Sequence, residues 1–184
     1  MRQIHQSILE AVRALRPHPG SLLDIGSGSG MLTQAIAISL PRSSVTALDG
    51  YPPLRSSSHN ITFVRGAVES LPFENDSFDV VTASLTVHHW QNKQKGLQET
   101  FRVLKDSGHL IIGDPLLAGP LRSRFWGKLA QATDGGVFAA PDELRGYLAR
   151  AGFSEPIIRA VPSSLNSLYL ITALKPDSKR EQVL

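Results

Sequence analysis

Chemistry-bearing residues concentrate in three short stretches of the sequence. The first is Asp24-Ile25-Gly26-Ser27-Gly28-Ser29-Gly30, which follows the apolar pair Leu22-Leu23 and precedes a helical pattern over 31–40. Glycine at alternate positions lets a ligand approach the backbone where a side chain would collide, beside the positive end of the following helix. A plain tight turn is the other reading of such a loop. The dinucleotide fingerprint G-x-G-x-x-G requires glycine at position 31, and Met31 stands there. An acid at Asp24 is awkward beside a pyrophosphate but suits a ligand that carries an ammonium group and a sulfonium charge.

The second stretch ends at Asp49, some twenty residues beyond the glycines, where a carboxylate can accept from both hydroxyls of a ribose or else serve as a cap or turn residue. The third holds His88 and His89 just past an apolar run, with Asp114 closing the next one. A histidine at such a strand end can remove the proton of an oxygen or nitrogen nucleophile, and Asp114 can orient an acceptor. Packing roles for the histidine pair and a turn before Pro115 for Asp114 are the alternatives. Extended backbone would point His88 and His89 in opposite directions, so only one of them would face an acceptor. No histidine–carboxylate spacing reads as a metal site. The absence of cysteine excludes disulfides, thiolate metal sites and a cysteine nucleophile.

The elements that must position these residues follow from periodicity. Ile4, Ile8, Ala11, Val12 and Leu15 recur at helical spacing over 2–16, and Pro17 and Pro19 end that pattern. Apolar runs of strand length occupy 21–25, 45–48, 61–64, 78–83 and 109–113, with helical patterns at 31–40 and 92–105 between them. This alternation indicates parallel βαβ units with helices on both faces of one sheet, an α/β doubly wound, Rossmann-like fold. Residues 114–140, rich in glycine and proline, read as an insertion over the site. A short helix is expected at 121–133, where Phe125 and Trp126 either stack on a flat substrate or join the core. A helix at 141–151 with Pro141 in its first turn, then strands at 155–161 and 165–174 forming an antiparallel pair, complete the pattern. Residues 176–184 read as a frayed polar tail, and the whole chain as one domain opened by a helical segment over 1–19.

In this order, LLDIGSGSG, VTALDG, FVRGAVESLPFENDSFDVVTASLTVHHW, FRVLKDSGHLIIGD and ELRGYLARAGF resemble the class I S-adenosylmethionine-dependent methyltransferases, in particular the small-molecule group that includes quinone-biosynthesis C-methyltransferases. The resemblance implies a seven-stranded sheet with a reversed last strand and S-adenosylmethionine as cofactor. It implies that Asp24, Gly26, Ser27, Gly28 and Gly30 hold the methionine and ribose portions, with Asp49 on the ribose hydroxyls and Gly50 and Tyr51 beside the adenosine. Ala67, Val68 and Glu69 would line the adenine pocket, and Ser84 with Leu85 would approach the methionine end. Ala67 departs from the group, which commonly has an aspartate there for the adenine amino group. The 50–60 connection is also short, so its usual helix is expected to shrink to a turn.

The chain of 184 residues carries a net charge of +3, with basic and acidic residues interspersed. A basic balance without a clustered face is weak support for nucleic acid. The expected partner is therefore a small, largely apolar acceptor, with an RNA methyltransferase or a non-catalytic cofactor-binding relative as alternatives. No apolar run is long enough for a membrane span, and the N-terminus lacks a signal-peptide core, so a cytoplasmic location is expected.

Overall fold

The computed structural model describes residues 3–51, 58–118, 135–162 and 167–178. Seven strands form one sheet: β1 (Ser21–Ile25), β2 (Ser44–Asp49), β3 (Ile61–Arg65), β4 (Phe78–Ser84), β5 (Leu104–Pro115), β6 (Ile157–Val161) and β7 (Leu168–Leu174). Their spatial order is β3-β2-β1-β4-β5-β7-β6. Every pairing is parallel except those of β7, which runs antiparallel to both β5 and β6. The order reverses at β1, so the chain leaves the carboxyl ends of the paired strands β1 and β4 toward opposite faces and a crevice opens there, the usual ligand position of such sheets.

Alternation along the strands divides the core between two faces. Leu23, Ile25, Val81, Ala83, Leu110 and Ile112 pack on one side with helices α3 (Lys93–Val103) and α4 (Pro141–Ala151). Leu22, Val45, Val80 and Ile111 pack on the other with α1 (Gln3–Ala14) and α2 (Met31–Ser39). The stripe expected on α1 is the buried one: Ile4, Ile8 and Val12 are each at most 1% exposed. Asn92 caps α3, its side chain accepting from Lys95 N at 2.9 Å. Gly152, at φ 103°, ends α4. No helix among the described residues is long and apolar enough to cross a membrane.

Several boundaries differ from the sequence expectation. The helix expected over 92–105 stops at Val103, and β5 begins at Leu104 rather than at 109. Leu104 is fully buried against Phe78, and the register then shifts before Val80 meets His109. The extra residues form a bulge in which Ser107 takes φ 60°. At the other end of β5, Asp114 and Pro115 belong to the strand, opposite Tyr169 and Leu168, and not to the insertion. The strand expected from 155 starts at Ile157, beyond Pro156, which has no N–H to give. The strand expected from 165 starts at Leu168.

Just ahead of the expected tail, Lys175 is buried, with Nζ donating to Leu104 O at 2.7 Å and Asp76 Oδ1 at 2.8 Å, and within the tail Ser178 Oγ donates to Asp106. The expected helix at 121–133 with Phe125 and Trp126, and most of the short 50–60 connection, lie outside the described residues.

Close approach of α1 to the sheet depends on Gly113. A Cβ there would stand 2.5 Å from Ile4 Cγ1 and 2.8 Å from Ile8 Cδ1, both on fully buried side chains. Gly113→Ala should therefore lower unfolding free energy by about 1–3 kcal/mol, the usual cost of overpacking. Urea denaturation of the two proteins would measure it, and equal midpoints would mean that α1 yields without strain.

Candidate functional site

The glycine loop is built by backbone conformations that only glycine takes readily. Gly26, Gly28 and Gly30 have φ of 65°, 49° and 71°. At Gly26 a second constraint acts: a Cβ would lie 2.2 Å from Thr86 Oγ1. Thr86, just past β4, thus closes against the bare backbone of the loop.

The loop's N–H groups are turned inward. Gly26 N and Ser27 N donate to Leu48 O at 2.8 and 3.1 Å, Gly28 N donates to Asp49 Oδ2 at 2.8 Å, and Gly30 N donates to Ser27 O at 2.8 Å. A phosphate-binding loop keeps such groups for its ligand; here they fasten β1 and its turn to the end of β2. Asp49 also accepts from Tyr51 N at 3.0 Å through Oδ1. Each of its oxygens retains a lone pair for a further donor.

Asp24 lies in β1 and is 2% exposed. It accepts from Thr33 Oγ1 at 2.5 Å and Thr82 Oγ1 at 2.8 Å. Burial pushes its carboxyl up to about 6; the two threonine hydroxyls act against that rise and the charge of Asp49 adds to it. Two carboxylates therefore flank the loop.

A cleft of about 460 Å³ opens beside the loop, lined by Gly26, Asp49, Gly50, Tyr51, Ala67, Val68, Glu69, Thr86, His89, Trp90 and Gln91 among others. Its far wall is fixed from below. Trp90 packs where a Cβ on Gly96 would stand 2.7 Å from the indole, and Val68 lies 3.2 Å from the same point. Glu69 accepts from Asn92 N at 3.1 Å. Arg102 donates to Leu71 O, Phe73 O and Glu99, which in turn accepts from Leu71 N. These bonds pin 67–73 against α3.

Ser84 and Leu85 sit at the end of β4. Ser84 Oγ is buried without a hydrogen-bond partner among the described residues, and Leu85, at φ 53°, donates its N–H to Gly113 O and packs on the α1–α2 side. Thr86 is the residue of this segment that reaches the cleft. Nothing local in the sequence marks Thr86, Trp90 or Gln91; only the β1–β4 pairing brings them opposite the loop.

His88 and His89 occupy a 3-10 turn, Val87–His89, rather than extended backbone. The opposite orientation expected of them is absent, since the two rings lie with centroids 4.0 Å apart, and it is burial that distinguishes them. His88 is 4% exposed, with Nδ1 2.8 Å from Asp114 Oδ1 and its N–H donating to Asp114 Oδ2 at 2.9 Å, whereas His89 is exposed. Burial pushes the Asp114 carboxyl up, and its contacts with His88 act against that rise. His88 O accepts from Val137 N at 2.8 Å, and a Cβ on Gly136 would meet the His88 ring at 2.4 Å. The pair thereby clasps β5, the turn and the return of the 114–140 segment.

A second cleft, of about 470 Å³, lies behind the turn, with His89, Lys93, Phe138, Glu143 and Tyr147 in its lining. Burial pulls the Lys93 ammonium down, opposed by Asp114 and Glu143. Among the described residues, no group of three or more histidine and acidic side chains is placed to hold a metal ion.

Comparison with known proteins adds to this geometry. The family described as methyltransferase domain matches residues 23–112. A 2-methyl-6-phytyl-1,4-hydroquinone methyltransferase of Oryza sativa subsp. japonica is 27% identical over 150 residues, covering 78% of this chain and 44% of that protein. A demethylmenaquinone methyltransferase of Porphyromonas gingivalis is 28% identical over 194 residues, covering 88% and 79%. The chain spans less than half the length of several curated relatives that it matches. Among solved structures, the 1,6-didemethyltoxoflavin-N1-methyltransferase of Burkholderia thailandensis superposes with a TM-score of 0.74 at 22% identity, covering 95% of this chain and 79% of that one. It shares the fold.

The raised carboxyl of Asp24 has a consequence for stability. Its folded-state value near 6 lies above the ordinary 3.8, so the fold binds the proton more tightly than the unfolded chain does. This contribution is fully present below about pH 4 and is lost as pH rises through 6, on the order of 3 kcal/mol in all. Asp24→Asn should remove that slope: the difference in unfolding free energy between variant and wild type should grow in the variant's favour from pH 4 to 7. Urea titrations across that range would show it, and parallel curves would place the proton elsewhere.

Proposed function

We propose that this chain, whose residues 23–112 match the methyltransferase domain family, transfers the methyl group of S-adenosylmethionine to a small, largely apolar acceptor. The observation that carries the reading is the loop's electrostatics. The N–H groups of Gly26, Ser27 and Gly28 are committed to Leu48 and Asp49, and Asp24 and Asp49 flank the loop with carboxylates. Such a site opposes a pyrophosphate and favours a ligand with an ammonium group, a sulfonium and a diol. The cleft volume falls in the range of small-molecule sites.

In this reading Asp24, Ser27, Gly28 and Gly30 hold the methionine end, approached by Ser84 and Leu85, while Gly26 gives room for the ligand beside Thr86. Asp49, already oriented by Gly28 N and Tyr51 N, accepts from the ribose hydroxyls. Gly50 and Tyr51 border the adenosine, and Ala67, Val68 and Glu69 border the adenine. With alanine at 67, the adenine is held mainly by packing on Val68 and by backbone groups. When bound, S-adenosylmethionine supplies an electrophilic methyl on sulfur; the residues around it orient the acceptor in line and exclude water.

Acceptor choice falls to segment 114–140, whose described residues Gly135, Val137, Phe138 and Ala139 line the second cleft. The names of the rice and Porphyromonas relatives support a reduced quinone or similar hydroxylated ring as the acceptor.

Calorimetry tests the cofactor. S-Adenosylmethionine and S-adenosylhomocysteine should bind in the micromolar range while reduced nicotinamide dinucleotide does not. Asp49→Ala should weaken S-adenosylhomocysteine by at least about 1 kcal/mol, the order of a charged hydrogen bond; unchanged affinity would overturn the ribose role.

A further inference from the structure

We propose that His89 is the catalytic base of this reaction and that the acceptor ring lies in the second cleft, against the wall that the two clefts share. The proposal rests on the first cleft being the cofactor site. Three residues, His89, Trp90 and Gln91, line both clefts. Of these, only His89 carries a group that can take a proton near neutral pH.

The 3-10 turn separates the two histidines by task. The His88 ring is turned into the interior onto Asp114, and the His89 ring lies against it with centroids 4.0 Å apart and planes tilted by 46°. Asp114 lies behind His88, both of its oxygens bonded to that residue, so the His89 ring rests on a side chain that is itself held in place. The second cleft offers flat surface on Phe138 and Tyr147 and room for a bicyclic ring. Lys93 and Glu143 supply polar contacts on the same lining.

The step balances on a hydroxylated ring. The O–H bond breaks and its proton passes to the His89 imidazole. The electron pair released forms the new bond from oxygen, or from the ring carbon beside it, to the methyl carbon. The sulfur–methyl bond breaks with its pair left on sulfur, turning the sulfonium into a thioether. His89, exposed to solvent, then sheds the proton. Where carbon is methylated, the ring C–H proton is the one finally lost and the oxygen regains its own.

Among the described residues, the titratable groups around His89 are Asp49 at the end of β2 and Tyr51 beyond it, Glu69, His88, Lys93 on α3, Asp114 on β5, and Glu143 with Tyr147 on α4. Three measurements test the proposal on the full chain. First, an NMR ring resonance of His89 should shift on adding S-adenosylhomocysteine and shift further on adding 1,4-naphthoquinone. Second, His89→Gln should keep its melting temperature and still bind S-adenosylhomocysteine measurably, since the residue borders that cleft only at the shared wall. Third, it should lose roughly a hundredfold in methylation of 1,4-naphthohydroquinone, together with the acidic limb of the kcat/KM profile. Near-normal turnover in His89→Gln with an unaltered profile overturns the proposal. So does a wild type that binds S-adenosylhomocysteine but neither shifts with naphthoquinone nor methylates the hydroquinone, and that outcome leaves the cofactor reading intact. A wild type that binds no S-adenosylhomocysteine removes both.

Discussion

A side chain at position 26 would put its first carbon 2.2 Å from Thr86 Oγ1, so the turn from β1 into α2 can close against the end of β4 only on a bare backbone. That single close approach sets much else. It brings the two strand ends together, lets Gly26 and Ser27 reach Leu48 O, and leaves Gly28 within hydrogen-bonding distance of Asp49. Three strands are thereby joined at one crest, β1 by its turn, β2 by its last two residues, and β4 through Thr86. The first cleft is the space left beside this junction, and its shape is as fixed as the junction itself.

The same junction explains why the site is acidic. A loop whose N–H groups are spent internally has little positive potential to offer an anion, and Asp24 and Asp49 make the surroundings more negative still. Asp24 is held by two threonine hydroxyls from different elements, Thr33 on α2 and Thr82 on β4, which fixes the carboxylate but only partly offsets its burial. A buried acid that is reluctant to ionise is stabilised by a cation placed next to it, so a cation beside Asp24 would offset the fold's cost there.

How far the sequence could be read follows from the range of the interactions involved. Repeating apolar residues mark α1, and branched runs mark the strands, because burial on one face acts within each element. The glycines of the loop are legible for the same reason: a positive φ is a local demand. Leu104 was hidden, since it reads equally as the last apolar turn of α3 or the first residue of β5, and only its pairing with Phe78 decides. Lys175 was hidden more deeply. Its charge suggests a solvated tail, but Leu104 O, Phe101 O and Asp76 converge on it from three distant positions, and its ammonium lies 4.8 Å from the Phe101 ring centroid. Thr86 and Gln91 are ordinary polar residues in sequence. Their importance comes from β1–β4 pairing, which no local pattern encodes.

The histidine pair shows how one turn can serve both rigidity and reactivity. Asp114 takes both the side chain and the backbone N–H of His88, and His88 O holds Val137, so the turn is tied to β5 and to the segment that closes the second cleft. Extended backbone would have swung the neighbouring side chain to the far face of a strand. A 3-10 turn instead keeps His89 against His88 while leaving it at the surface, between the two clefts. A side chain on a loose loop would have to be ordered before it could act, whereas His89 inherits its place from a buried hydrogen-bonded pair. The interaction that looks most like catalytic machinery, the buried His88–Asp114 pair, is therefore better suited to hold the turn, and the exposed neighbour to carry the chemistry.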